Sequence, residues 1–271
     1  MSESLPRGLA YYKLLEALKE PGCPICRLGR ANVEAYLENL LYENVNDPGV
    51  RENILAARGF CSFHAYQLVK IGDALGLGII YNDLVLYTIQ QLGTLTSSLN
   101  ESRFHGSLFR RKKERDKDRL TRLPFTLRRD QSFSHRYQEL NPRAPCPACE
   151  KEREAVRRYC EELMAWISSA EMEEAYQSSE GLCLGHLRQC LALTQAATNQ
   201  QLAAAREKLI HMELHILKDL AADLAELLRK FDYRYSREPM GKEKDAWRRA
   251  MAKISGIAAW ERDELNRDEL S

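Results

Sequence analysis

Apolar residues along this chain recur at intervals of three and four, not two. After Cys26 they fall at Val33, Tyr36, Leu37, Leu40 and Leu41. In the second half they fall at Val156, Tyr159, Cys160, Leu163, Met164 and Ile167. That spacing buries one face of a helix. The stretch "NDPGVRENILAARG" predicts a short helix with Asp47 as cap, Pro48 in the first turn and Gly59 as stop. Ser168 or Ser169 can cap a matching short helix that ends at Gly181. Further helices are predicted from "HAYQLVKIGDAL" and "HLRQCLALTQAA", each followed by a longer one. No strand pattern competes, so the expected fold class is all-α.

The last long helix has the most regular pattern. Ile210, Leu214, Leu217, Ala221, Leu224, Leu228 and Phe231 alternate at four and three, three heptads of an a/d seam. A stripe of that kind needs another helix. Packing within the chain is the expectation; a second chain, or self-association through residues 210–231, is the alternative. Near the C-terminus, "DYRYSREPMGKEKDAWRRAMAKISG" places Trp247, Ala250, Met251 and Ile254 on one face, predicting a docking helix.

The pattern also repeats. Aligning Cys23 with Cys146 pairs Cys26 with Cys149, Arg30 with Arg153, Val33 with Val156, Tyr36 with Tyr159, Glu38 with Glu161 and Leu40 with Leu163. After a one-residue deletion, Gly59 falls on Gly181, Cys61 on Cys183, His64 on His186, Gln67 on Gln189 and Ala74 on Ala196. This reads as a tandem duplication of one helical unit. The expected organisation is a first unit over residues 1–100, a basic linker over 101–145, and a second unit with the docking helix over 146–271.

Composition narrows the chemistry. The formal charge of +1 gives no overall pull toward nucleic acid or membrane. The stretch "MSESLPRGLAYYKLLEALKE" lacks the basic and apolar regions of a signal peptide. No apolar run approaches the roughly 20 residues of a membrane helix. A cytoplasmic location is expected, where thiols stay reduced. Eight cysteines there point to metal ligands before disulfides.

Two Cys-Pro-x-Cys pairs and two Gly-x-Cys-x-x-His stretches supply those ligands. Three thiolates and an imidazole suit tetrahedral zinc, and a filled shell marks a structural site. The expected first site is Cys23, Cys26, Cys61 and His64; the expected second is Cys146, Cys149, Cys183 and His186. Two Zn²⁺ per chain are expected, with a [4Fe–4S] cluster as the alternative. Cys160 and Cys190 align with Leu37 and Leu68, so they read as small core residues.

The paired "CPIC…GFCSFH" and "CPAC…GLCLGH", together with the tail "FDYRYSREPMGKEKDAWRRA", resemble an uncharacterised family of bacterial and archaeal cytosolic proteins, a domain of unknown function. The resemblance runs from about residue 10 to 255. It implies two metal sites and a prokaryotic source, and it implies no activity.

Other features weigh less. His211 and His215 lie four apart after Glu207, but "HMELH" is not the metalloprotease signature and reads as a solvated flank. The basic stretch 103–129 could contact phosphates, yet Glu114, Asp116 and Asp118 dilute it and it reads as a solvated linker. No phosphate loop, nucleophile elbow or catalytic residue is identified. The expected role is therefore a non-enzymatic interaction or regulatory module. A nucleic-acid binder acting through 103–129 and an iron–sulfur redox protein are the alternatives.

Overall fold

The computed structural model describes residues 7–108, 136–195, 200–235 and 237–256. Among these residues the secondary structure is helical, and no strand occurs. The chain divides into two compact units. One is discontinuous, residues 1–35 with 151–271; the other is continuous, residues 36–150. This differs from the expected boundaries at residues 100 and 145. The division instead falls within two helices, α2 (Pro24–Asn39) and α6 (Pro147–Trp166).

The continuous unit begins with the end of α2, which runs into a π turn at Leu40–Asn44. It continues through α3 (Pro48–Ala56), α4 (Ser62–Ile71) and α5 (Ala74–Leu108), and closes with the start of α6. The α3 signals work as expected. Asp47 Oδ1 accepts from the Val50 amide at 2.8 Å, and Pro48 occupies the first turn, where its missing N–H is no loss. Gly59 ends the turn with φ +95°, its amide bonded back to Ile54 O at 2.9 Å. Leu37, Leu40, Leu41, Ile54, Leu68 and Ile80 are buried here.

Helix α5 extends to Leu108, so residues 101–108 continue a helix where a linker was expected. Residues 109–129 of the basic stretch lie outside the described residues. The stretch after it is fastened to this unit. Arg58 donates to Glu139 O at 2.7 and 2.9 Å, and the Arg143 amide donates to Ala56 O at 2.8 Å.

The discontinuous unit contains α1 (Leu9–Leu18), the first part of α2, most of α6, α7 (Ala170–Gln177), α8 (Leu184–Gln195), α9 (Gln200–Lys230), a 3₁₀ turn at Lys242–Asp245, and α10 (Ala246–Ser255). Ser169 caps α7, accepting from the Met172 amide at 3.4 Å. Tyr11, Leu14, Ile25, Leu163, Ile167, Met172, Tyr176, Leu182 and Leu209 form one core. Cys160 and Cys190 lie fully buried in it, as small core residues should.

Two faces turn the other way from expectation. On α9 the buried positions are Ala205, Leu209, Met212, Glu213, Leu220, Asp223 and Leu227. Of the heptad seam, Ile210, Leu214, Leu228 and Phe231 are exposed, while Leu217 is half-buried and Leu224 packs against Leu220 and Leu227, so among the described residues the seam is only partly covered. Helix α10 docks on α9, with Ala246, Ala252 and Lys253 buried and Ala250 packed against the Leu220 and Leu227 cluster, whereas Trp247, Met251 and Ile254 of the expected docking face are exposed. The reason is the same in both cases. Buried charges with partners occupy the inner faces: Asp223 pairs with Lys242 and Arg249 at 3.0 and 3.1 Å, and Glu213 pairs with Lys253 at 2.6 Å.

Candidate metal centres

Each ligand pair is built by the first turn of a helix. Pro24 and Pro147 are the first residues of α2 and α6. Cys23 and Cys146 immediately precede them, and their carbonyls accept from Arg27 N and Glu150 N. Cys61 and Cys183 stand in the same place before α4 and α8, bonded to Ala65 N and Leu187 N, each at 2.9 Å. A residue three positions on projects from the same side of the helix. That residue is Cys26, Cys149, His64 or His186. Unpaired amides and the helix dipole make such an end electropositive, which favours thiolates.

All eight expected residues gather into two groups, but the pairs cross. Cys23 and Cys26 meet Cys183 and His186; Cys61 and His64 meet Cys146 and Cys149. Within each group the ligand atoms lie within 4.8 Å of one another. This corrects the expected sites, which joined Cys23 and Cys26 to Cys61 and His64, and Cys146 and Cys149 to Cys183 and His186. Two Cys-Pro-x-Cys pairs facing two Cys-x-x-His pairs can combine in two ways. Ligand chemistry does not distinguish them; in the structure each group forms within a single unit. In chain order the groups are nested. The inner one closes the segment from His64 to Cys146 inside the continuous unit. The outer one ties Cys26 to Cys183 inside the discontinuous unit.

In the outer group, His186 Nδ1 lies 3.4, 3.3 and 3.3 Å from the sulfurs of Cys23, Cys26 and Cys183. The Cys26 and Cys183 sulfurs are 3.7 Å apart. In the inner group, His64 Nδ1 lies 3.2, 3.6 and 3.3 Å from the sulfurs of Cys61, Cys146 and Cys149, and the Cys61–Cys149 separation is 3.7 Å. His64 and Cys183 are almost wholly buried.

Such crowding governs the protons. Hydrogen bonding with Cys183 and Cys23, reinforced by burial, pushes the Cys26 thiol up, while the Cys183 thiol, hydrogen-bonded by Cys23 and Cys26, is pulled down. Burial followed by the Cys61 contact raises Cys149 to about 12. For His186, burial alone would lower the imidazole, but Cys183 and Cys23 outweigh it and raise it to about 10. A cation entering either group would replace those shared protons.

The structure adds residues that the hydrophobic pattern hid. Glu213, 2% exposed, accepts hydrogen bonds from the Tyr176 hydroxyl and from Leu182 N, the amide next to Cys183. Burial and then the Glu213 charge raise the Tyr176 hydroxyl well above an ordinary phenol, which keeps it a donor. Lys253 completes the pair. An acidic residue and a lysine on separate helices, 40 positions apart, left no local signal. His211 and His215 join neither group; they are exposed on α9 beside Glu207 and Asp219. No described helix is long and apolar enough to cross a membrane.

The comparisons with known proteins supply kinship without activity. A segment of 72 residues is 38% identical to an uncharacterised 23.9 kDa protein encoded in the xynA 3′ region of Caldicellulosiruptor sp. strain Rt8B.4. That match covers 27% of this chain and 35% of the relative's length. No solved structure is a significant match. A family model matches residues 11–261, nearly the whole chain, so the protein belongs to the family of unknown function DUF6062.

Proposed function

We propose that this chain is a zinc-binding helical protein that carries two structural Cys₃His ions and serves as an interaction or regulatory module. The spacing of the donor atoms carries the reading. Around one tetrahedral Zn²⁺, with bonds of about 2.3 Å to sulfur and about 2.0–2.1 Å to nitrogen, neighbouring sulfurs stand ~3.8 Å apart and a sulfur and nitrogen ~3.6 Å. Separations of 3.7 Å between sulfurs and 3.2–3.6 Å between sulfur and nitrogen suit that geometry. The thiolates of a [4Fe–4S] cluster bind different irons, so its ligands stand farther apart than donors sharing one ion.

Three thiolates and one imidazole fill a zinc shell and leave no position for substrate, which supports a structural role. A tandem origin accounts for the crossed pairing: two equivalent units can exchange their Cys-x-x-His turns without changing either donor set. The exposed apolar positions Ile210, Leu214, Leu228 and Phe231 on α9 support an interaction role. Reduced thiols also suit a cytoplasmic protein.

Elemental analysis and an absorption spectrum of anaerobically purified protein test the proposal. Two zinc ions per chain and no visible band are expected. Iron with labile sulfide and a broad visible band would replace zinc with a redox cluster.

A further inference from the structure

The Cys61 and Cys183 turns have the same local form but different supports. In the inner turn, a Cβ built on Gly59 would meet, among the described residues, only the Leu84 side chain, at 3.2 Å. In the outer turn, a Cβ on Gly181 would lie 2.5 Å from Glu213 Oε1 and 2.8 Å from Lys253 Nζ. Glycine there, with φ +68°, lets a buried ion pair press against the backbone. The two charges hold both sides of the turn. Leu182 N donates to Glu213 Oε1 at 2.6 Å, and Lys253 Nζ donates to Glu180 O at 2.8 Å. Glu213 and Lys253 are themselves joined at 2.6 Å with both side chains buried.

A buried ion pair seldom stabilises a fold more than well-packed apolar residues would. What this pair achieves is placement. It fixes the backbone on either side of Gly181, and the next residue along is the ligand Cys183. Helix α10, which carries Lys253, also brings Gly256 against the centre. Its carbonyl lies 3.8 Å from Cys26 Sγ, and a Cβ there would sit 3.4 Å from Cys183 Sγ.

Building on the zinc reading above, we infer that Glu213 and Lys253 are positioning residues for the outer centre, aiming Cys183 at the ion through the Gly181–Leu182 turn. Neither residue touches the ion. Loss of groups that orient metal ligands weakens affinity by about 10- to 100-fold. Only the outer ion should respond, because among the described residues the pair has no counterpart behind Cys61.

The test is a zinc competition titration of the full chain with a chromophoric chelator, comparing the unaltered protein with Glu213→Ala and Glu213→Gln. Amide exchange at residues 181–187 and 59–65 assigns each ion to its centre. Glu213→Ala should weaken one ion about 10- to 100-fold, with faster exchange at 181–187 alone. Glu213→Gln keeps an acceptor for the Leu182 amide and should recover most of that loss. If both variants lose thermal stability alike while both ions keep their affinity, the pair is merely structural and the inference fails. Equal weakening of the two ions also overturns it. An unaltered protein that binds no zinc overturns the metal reading itself, an outcome distinct from either.

Discussion

The outer and inner centres have the same donors and nearly the same spacings, yet they are embedded differently. The outer one lies in a core drawn from α1, α2, α6, α7, α8 and α9, with the Glu213–Lys253 pair behind Cys183. The inner one joins the starts of α4 and α6, beside the Arg58, Glu139 and Arg143 contacts and in a unit where Leu37, Ile54 and Leu68 are buried. Equal donor sets therefore need not mean equal dependence on a bound ion. Where burial already holds the segments together, an ion would add to an existing fold; where it does not, an ion would supply much of it.

The largest expected effect breaks the comparison at its weaker member. Structural zinc contributes on the order of 10 kcal/mol to small metal-dependent folds. His64→Ala should accordingly unfold much of the continuous unit, seen as fast amide exchange across residues 36–97. His186→Ala should loosen residues 22–28 and 181–187 and leave most of the surrounding core protected. Similar, confined loosening in both variants would show that the two surroundings are equivalent.

Next in size is the buried pair. Lys253→Met leaves Glu213 buried without its counter-charge, which costs about 3–5 kcal/mol. Denaturant unfolding of the zinc-loaded protein should show that loss. A change within experimental error would mean that the Glu213–Lys253 pair adds no net stability.

Acidity sharpens the comparison further. Without metal, Cys26 is pushed up and His186 is raised to about 10, so both are protonated near neutrality and must release protons when an ion binds. Cys149, raised to about 12, behaves likewise in the inner centre. Affinity should thus rise with pH, by about tenfold per unit for each proton displaced. Chelator competition at two pH values near neutrality measures the slope at each centre. A pH-independent affinity would contradict the thiolate ligation.

The smallest effect concerns the two remaining thiols. Cys160→Ala and Cys190→Ala should each cost about 1 kcal/mol, an ordinary value for a point substitution, and leave metal content unchanged. Loss of zinc in either variant would mean that a ligand has been misassigned.

What the sequence revealed was local. Each ligand pair depends on a helix start, and Pro24, Pro147, Gly59 and Gly181 announce those starts within a few residues. Asp47 and Ser169 cap for reasons equally local. Which pairs meet was hidden, because Cys61 with His64 and Cys183 with His186 are chemically interchangeable. The inner faces of α9 and α10 were hidden for another reason. Hydrophobic periodicity cannot register Glu213, Asp223 or Lys253 as core residues, since their burial depends on partners far away in sequence. The periodic residues Ile210, Leu214 and Phe231, and the apolar Trp247 and Met251, consequently face outward.

Crossed, nested ligation is the central claim, and metal counting in two paired substitutions tests it most directly. Cys61 and Cys146 belong to one centre in the crossed arrangement and to different centres in the sequential one. Cys23 and Cys61 behave the opposite way. Elemental analysis should find one zinc per chain in Cys61→Ser with Cys146→Ser, and none in Cys23→Ser with Cys61→Ser. One zinc in the second protein and none in the first would show that each centre takes its ligands from a single half of the chain, and the crossed account would be wrong.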